Sequence, residues 1–380
     1  MSKTSNRTRI LFSMNHIIMG GIEKVLCQYL LALKNLSNID LSVICKEKVV
    51  DTYFLEFFKN NQIRLIDNFT YKKNRFLFIK IGKKKRDFIN KIIWFFLKFK
   101  GDIFIDFANF SYLEEFKEIN KKKLAWFHGS TMVFNAFFQN KIEKNIYDKI
   151  VCLSENFKQD FISTNPLLAE QITSIYNPID IAQIRELGNQ ETSMTTNFPY
   201  FIAVQRLDNF DKDVKTIIEG FNQYSQNDKI TKLYIVGDGP DKKQLMELAK
   251  NNSNIIFTGK VNNPYPLIKN AQALILSSTK KIGEGFGLVL LEAQTLKTLA
   301  ISSDVKSSIK ETLLNGKAGC LFEAENPKSL AEKLNYIKDH PEECNLLKQT
   351  ATQNLDRFNI NNAIKKFVEL CNISEENNHA

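Results

Sequence analysis

The chain has 380 residues, 43% hydrophobic and 25% charged, with a net charge of +10, which supplies ample core for roughly two domains. Six scattered cysteines (Cys27, Cys45, Cys152, Cys320, Cys344, Cys371) show no CxxC or metal-like spacing, and four dispersed histidines (His16, His128, His340, His379) make no metal cluster. The pattern is that of a reduced cytosolic protein, and the longest apolar run, 92–97, is far short of the ~20 residues a membrane span needs.

Taken in chain order, the first strand-like run, 10–14, is too short for the apolar region of a signal peptide. Gly20-Gly21 follows and opens a helix predicted over 21–34. Further strands are predicted at 41–45, 103–107, 124–127 and 150–153. Residues 1–190 hold 29 Lys+Arg against 19 Asp+Glu, and 71–100 alone hold 11 basic residues against one acid, Asp87. Lys83-Lys84-Lys85-Arg86, then Lys91, Lys98 and Lys100, surround the aromatic run, so this stretch reads either as an amphipathic surface for an anionic membrane or as a solvated helix with its aromatic face in the core. No stacking platform or nucleic-acid motif accompanies the charge, so nucleic acid is not an expected partner.

The polar stretch 188–197 reads as a linker. Strands then recur at 200–204, 233–236, 255–257, 273–276 and 299–302, with helices at 214–224, 241–250, 288–296 and 329–337. Strand and helix alternate throughout, as in an open α/β sheet. The parse is an N-terminal Rossmann-like domain over 1–187, a second over 195–355, and a last helix within 356–372 that returns to the first domain. No internal repeat or low-complexity segment stands out.

In such sheets ligands bind beyond the carboxyl ends of the strands, and each notable motif falls at such an end. They are Gly20-Gly21, His128-Gly129, Arg206 with Lys212 six residues on, Gly237-Asp238-Gly239-Pro240, and a glycine turn at 283–287. That turn, Gly-Glu-Gly-Phe-Gly-Leu-Val-Leu-Leu-Glu from Gly283 to Glu292, runs alternating glycines into a helix start, with Glu284 in the loop and Glu292 on the helix. Glycines allow close backbone approach, and N–H groups at a helix start favour anionic or hydroxyl-rich ligands. Spacing alone leaves open whether this is a ligand cradle or an ordinary strand–turn–helix bearing surface acids.

The pieces in order resemble the retaining glycosyltransferases of family four, which have the GT-B fold. They are Gly20-Gly21-Ile22-Glu23, Trp126-Phe127-His128-Gly129, Leu153-Ser154-Glu155, Tyr176-Asn177-Pro178-Ile179-Asp180, Gln205-Arg206-Leu207-Asp208 through Lys212, Val236-Gly237-Asp238-Gly239-Pro240, Phe257-Thr258-Gly259-Lys260-Val261, and Glu284-Gly285-Phe286-Gly287-Leu288 to Glu292. The last matches the E-x7-E motif. The resemblance implies an α/β protein of two doubly wound Rossmann-like domains facing a central cleft, the first for acceptor and the second for a nucleotide-sugar donor.

It also implies roles. Arg206 and Lys212 match the pair that neutralises the donor diphosphate, one a planar fork and the other a point charge. Gly20 and Gly21 face the same phosphates, and Glu292 matches the ribose-binding carboxylate. Glu284 and the backbone N–H groups of Phe286 and Gly287, at the turn into Leu288, match donor-hexose contacts. Lys260 and Val261 match backbone contacts to the base, and His128 a hydrogen-bond donor near the leaving oxygen. The turn 237–240 is read as structural. Asp211-Lys212-Asp213 has the look of an Asp-x-Asp metal motif, but it lies inside the matched phosphate segment, so no metal or other cofactor is expected.

Departures from the family pattern are Gln205 where glycine is common, the longer run 279–283 before Glu284, and Ser307-Ser308 ahead of Glu311. The expected activity is transfer of a hexose with retention, from a UDP-sugar, to a lipid-linked or lipopolysaccharide-type glycan in cell-surface polysaccharide synthesis. The expected location is the cytoplasm, peripheral on the inner face of its membrane. Two alternatives stay open: a catalytically silent nucleotide-sugar-binding protein, and a GDP-sugar-dependent mannosyltransferase of the same fold. A dinucleotide oxidoreductase is disfavoured because no Gly-x-Gly-x-x-Gly follows the first strand.

Overall fold

A computed structural model describes residues 7–17, 20–46, 52–67, 94, 96, 98, 100–139, 141–143, 145–192, 197–306 and 308–373. Most of the basic stretch 71–100, and the membrane-binding expectation placed on it, therefore lies outside the described residues, as do Ser307, His379 and positions 193–196 of the linker.

Seven strands form the first sheet: β1 (Thr8–Met14), β2 (Ile39–Cys45), β3 (Arg64–Asp67), β4 (Ile103–Asp106), β5 (Lys122–Trp126), β6 (Lys149–Cys152) and β7 (Ile172–Ser174). Their order is β3-β2-β1-β4-β5-β6-β7, and every pairing is parallel. The second sheet has β8 (Tyr200–Val204), β9 (Lys232–Val236), β10 (Ile255–Gly259), β11 (Ala273–Leu276), β12 (Leu299–Asp304) and β13 (Cys320–Glu323). Its order is β10-β9-β8-β11-β12-β13, again all parallel. Parallel strands are covered by helices on both faces, so the central ones are continuous apolar runs. β4 and β11 are buried at every position.

Three strands carry no clear signal in the sequence: β3, β7 and β13. Each is three or four residues long and lies at the edge of its sheet, β3 with Arg64 facing solvent. Edge strands are kept short and mixed in polarity because a long apolar edge would pair with other chains. Residue 188, assigned to the linker by its polar surroundings, is instead the last residue of the helix Ile181–Gly188.

The closing helix, Ile360–Cys371, lays Phe367 against the first sheet. Its ring centroid is 6.2 Å from Phe12, 5.8 Å from Tyr29 and 5.9 Å from Trp126. Trp94, within the basic stretch, is buried against Phe104, Tyr112 and Phe116, and its Nε1 donates to the Glu115 carbonyl at 3.0 Å. All six cysteines are buried and none is in a disulfide. Among the described residues, no helix is long and apolar enough to cross a membrane.

Strand order reverses between β1 and β4 in the first sheet and between β8 and β11 in the second. At each reversal the following loops diverge to opposite faces and leave a crevice at the carboxyl ends of the strands. The candidate site is built on both crevices.

Candidate active site

The loop leaving β8 begins with Gln205, whose buried side chain accepts from the Ser277 N–H at 3.3 Å and so ties together the ends of β8 and β11. Where the family pattern has glycine, this chain uses an amide to bridge the switch point. The turn 237–240 packs under the same loop: Leu207 N–H donates to the Asp238 carbonyl and Asp241 N–H to the Leu207 carbonyl, both at 3.0 Å. That turn is structural, as its position after a strand suggests.

Arg206 is exposed, its side chain 57% accessible, and its Nη2 meets Asp208 at 3.1 Å and Asp211 at 3.2 Å. Lys212 is enclosed. Its Nζ donates to Glu284, which also accepts from Ser278 Oγ at 2.7 Å. Burial pushes the Glu284 carboxyl up, but the Lys212 charge, together with hydrogen bonds from Lys212, Ser278 and the Gly285 N–H, holds it below its ordinary value. Asp213 caps the helix Val214–Tyr224 by accepting from Thr216 N–H at 3.1 Å. The two acids of the Asp-x-Asp sequence are thus committed separately, one to Arg206 and one to a helix start.

The glycine turn is required by geometry at two points. Gly287 has φ 75° and ψ 48°, a left-handed conformation costly for side-chain-bearing residues, and it starts the helix Leu288–Thr295 without a side-chain cap. A Cβ on Gly285 would lie 2.1 Å from the His128 carbonyl oxygen, so the two domains touch backbone to backbone there. Phe286 has its side chain in the core beside Tyr176 and Phe358, leaving only its backbone to face a ligand. Glu292, one turn into the helix, is 7% exposed and accepts from Tyr265 OH at 3.0 Å.

The first domain meets this surface through residues 20–24 and 128–130. Gly20 caps the helix Gly21–Lys34 in extended conformation, and a Cβ on Gly21 would stand 3.4 Å from Leu288. Lys24, one turn further, places Nζ 3.0 Å from Glu292 Oε1 and 3.5 Å from Tyr265 OH. The Glu292 charge raises the pKa of Lys24 despite burial, and burial with the same charge raises that of Tyr265. Ser130 Oγ donates to the Ile282 carbonyl across the domains. His128 is buried, its ring 4.7 Å from Phe107, and neither ring nitrogen has a partner in full hydrogen-bond geometry, the Phe107 backbone making only a looser polar contact. Burial, only partly offset by the Phe107 backbone, pushes its pKa down to about 3, so the imidazole is neutral at pH 7.

Of the residues singled out by sequence, the structure joins Lys212 to Glu284, Gly21 to Leu288, and the His128 backbone to the Gly285 turn. Arg206 is turned to its own loop carboxylates. Lys260 is exposed after β10, and Val261 is half-buried against the core. Lys24, Tyr265, Ser130 and Ser278 join the site without belonging to any of the sequence motifs. Lys24 follows directly on the Gly-Gly-Ile-Glu piece, one turn inside the helix it opens, and that placement is its one signal in the sequence.

Residues 186–354 match the family model for glycosyl transferases group 1. The matched residues include Arg206, Lys212, Lys260, Val261, Glu284, Gly287 and Glu292. Among curated relatives, the chain is 23% identical over 219 residues to the capsular polysaccharide biosynthesis glycosyltransferase CapM of Staphylococcus aureus, covering 54% of this chain and 56% of CapM. It is 24% identical over 319 residues to a lipopolysaccharide 1,6-galactosyltransferase of Salmonella typhimurium, covering 80% of this chain and 82% of that enzyme. The chain therefore spans little more than half of CapM's length. Among solved structures, Anabaena Alr3699/HepE in complex with UDP and glucose superposes with a TM-score of 0.75 at 17% identity, covering 96% of this chain and 99% of that one. The fold shared with that structure, two parallel-sheet α/β domains, is GT-B.

Proposed function

We propose that this chain is a retaining glycosyltransferase that moves a hexose from a UDP-sugar to a lipid-linked or lipopolysaccharide-type glycan acceptor. The observation that carries the reading is the gathering of Lys212, Glu284, Arg206 and the uncapped helix start at Leu288 at the β8/β11 switch point, facing the helix start at Gly21. Departure of a nucleoside diphosphate builds negative charge, and preorganised cations and helix N-termini stabilise it without covalent change to the protein. Lys212 and Arg206 would receive the two phosphates. Glu284, held as carboxylate by Lys212 and Ser278, would accept hydroxyl hydrogens of the hexose, and Glu292 those of the ribose.

Retention follows from a front-face path in which the leaving phosphate oxygen takes the acceptor proton, so no separate carboxylate base is required. The buried neutral imidazole of His128 would donate one N–H to the reacting sugar. The UDP preference is supported by HepE having been crystallised with UDP and glucose, and the acceptor class by the printed activities of CapM and the Salmonella enzyme. Metal is not needed in this scheme, because Lys212 and Arg206 supply the positive charge.

The test is a transfer and hydrolysis assay over a panel of UDP- and GDP-sugars, with and without excess chelator. Turnover of a UDP-sugar, insensitive to chelator and abolished by Arg206→Ala and Lys212→Ala, is the expected result. Turnover of a GDP-sugar alone would replace the donor assignment, and nucleotide-sugar binding without turnover would make the chain a binding protein.

A further inference from the structure

We infer that Lys24 is an exchangeable positioning residue: it holds the Glu292 carboxylate in the free chain and passes to the donor diphosphate when a nucleotide binds. The inference rests on the donor-binding reading above. It starts from the way two helix starts oppose each other across the domains. Gly21 stands against Leu288, and one turn deeper in each helix Lys24 stands against Glu292. The pairing thus sits between the elements that would grip the diphosphate and the carboxylate that would grip the ribose.

The three groups of this cluster differ in what they can do. Glu292 is enclosed, its side chain 9% accessible, whereas the Lys24 side chain is 42% accessible. Tyr265 is anchored by a buried ring, and its hydroxyl shares Glu292 Oε1 with Lys24. Lysine is a compact charge on a flexible stem, so it is the mobile member. A ribose hydroxyl competing for Glu292 displaces the ammonium from its carboxylate. A nucleoside offers that ammonium no replacement anion, so its binding works against the ion pair. A nucleoside diphosphate offers phosphate oxygens next to the Gly21 helix start, and the ammonium is re-paired. Lys24 would in this way make the site favour diphosphates over bare nucleosides, and it would draw the acceptor domain onto the donor.

The experiment compares wild type, Lys24→Met and Lys24→Arg by calorimetric or competition titration with whichever of UDP and GDP the wild type binds, and with the corresponding nucleoside. In Lys24→Met the diphosphate is expected to bind about tenfold more weakly, the loss of one charge-assisted contact, while the nucleoside binds several-fold more tightly. Lys24→Arg is expected to keep the wild-type order. Shifts of both ligands in the same direction, no shift in either, or an arginine variant that behaves like methionine would overturn the inference while leaving the donor site standing. A wild type that binds neither diphosphate removes the proposed function, and this inference with it.

Discussion

Lys212 and Glu284 form an ion pair at the centre of the second domain's switch point, with side chains only 16% and 12% accessible. Each is the other's main compensation for burial, with Ser278 as a further donor to the carboxylate. Removing one partner strands a charge in a poorly solvated place, which costs about 3–5 kcal/mol. Lys212→Met and Glu284→Gln should each lose stability on that order, and the double variant should lose less than the sum, as read by urea denaturation. The Glu284 carboxyl is held below its ordinary value of 4.5, so its contribution is present above that pH and is lost as pH falls through the lowered value. Wild type should therefore lose an increment of stability in acid that Glu284→Gln does not. Additive single losses would show that the pair is not coupled.

Gly285 offers a separate test of the domain contact. Its missing side chain lets the His128 carbonyl approach to where a Cβ would lie 2.1 Å away, and the neighbour is backbone with no rotamer to give. Gly285→Ala should force the domains apart there while each sheet stays folded. Small-angle scattering should report a more open particle, and transfer should fall by about a hundredfold, the scale of loss for a misplacement of an ångström near the chemistry. Unchanged scattering with unchanged transfer would mean the contact is incidental.

Much of this architecture was legible because single-residue patterns encode it. β1, β8 and β11 are apolar runs that must be buried on both faces, and Glu284 and Glu292 announce themselves through the glycines between them. The illegible parts depend on partners far away in sequence. Lys24 reads as an ordinary helix-surface lysine until Glu292, 268 positions on, is brought beside it. His128 could be placed at a strand end, but its enclosure comes from Phe107, contributed by the neighbouring strand's loop. β7 spans three residues, too few for alternation to show.

Asp106, at the carboxyl end of β4, carries a pH signature of its own. It is fully buried and accepts from Tyr112 N–H and Tyr147 OH, both at 2.9 Å. Burial outweighs these hydrogen bonds and pushes its pKa up from 3.8 to about 6. The native state thus binds a proton more tightly than the unfolded chain, and stability falls as pH rises between those values. The free energy at stake is up to about 3 kcal/mol. Urea denaturation of wild type and Asp106→Asn at pH 4.5, 5.5 and 7 should show the variant gaining relative to wild type as pH rises and levelling off above about 6. A difference independent of pH would mean that the carboxyl is ionised throughout.

His128 separates a chemical role from a structural one. Its ring is buried, neutral and without a well-formed hydrogen bond, a costly arrangement in a folded protein unless a ligand completes it. If the imidazole only filled space, His128→Phe would be neutral or harmful to both stability and transfer. If it donates to the reacting sugar, the same variant removes an unsatisfied polar group and a catalytic contact together. The melting temperature should then hold or rise while kcat falls by about 10²–10³, the scale for loss of one preorganised donor. Because the pKa lies near 3, the wild-type rate should show no His128 titration between pH 5 and 8. A drop in melting temperature parallel to the drop in rate would assign His128 to packing alone, and a rate that titrates near pH 6.5 and loses that step in the variant would show that the ring is solvated when substrate binds.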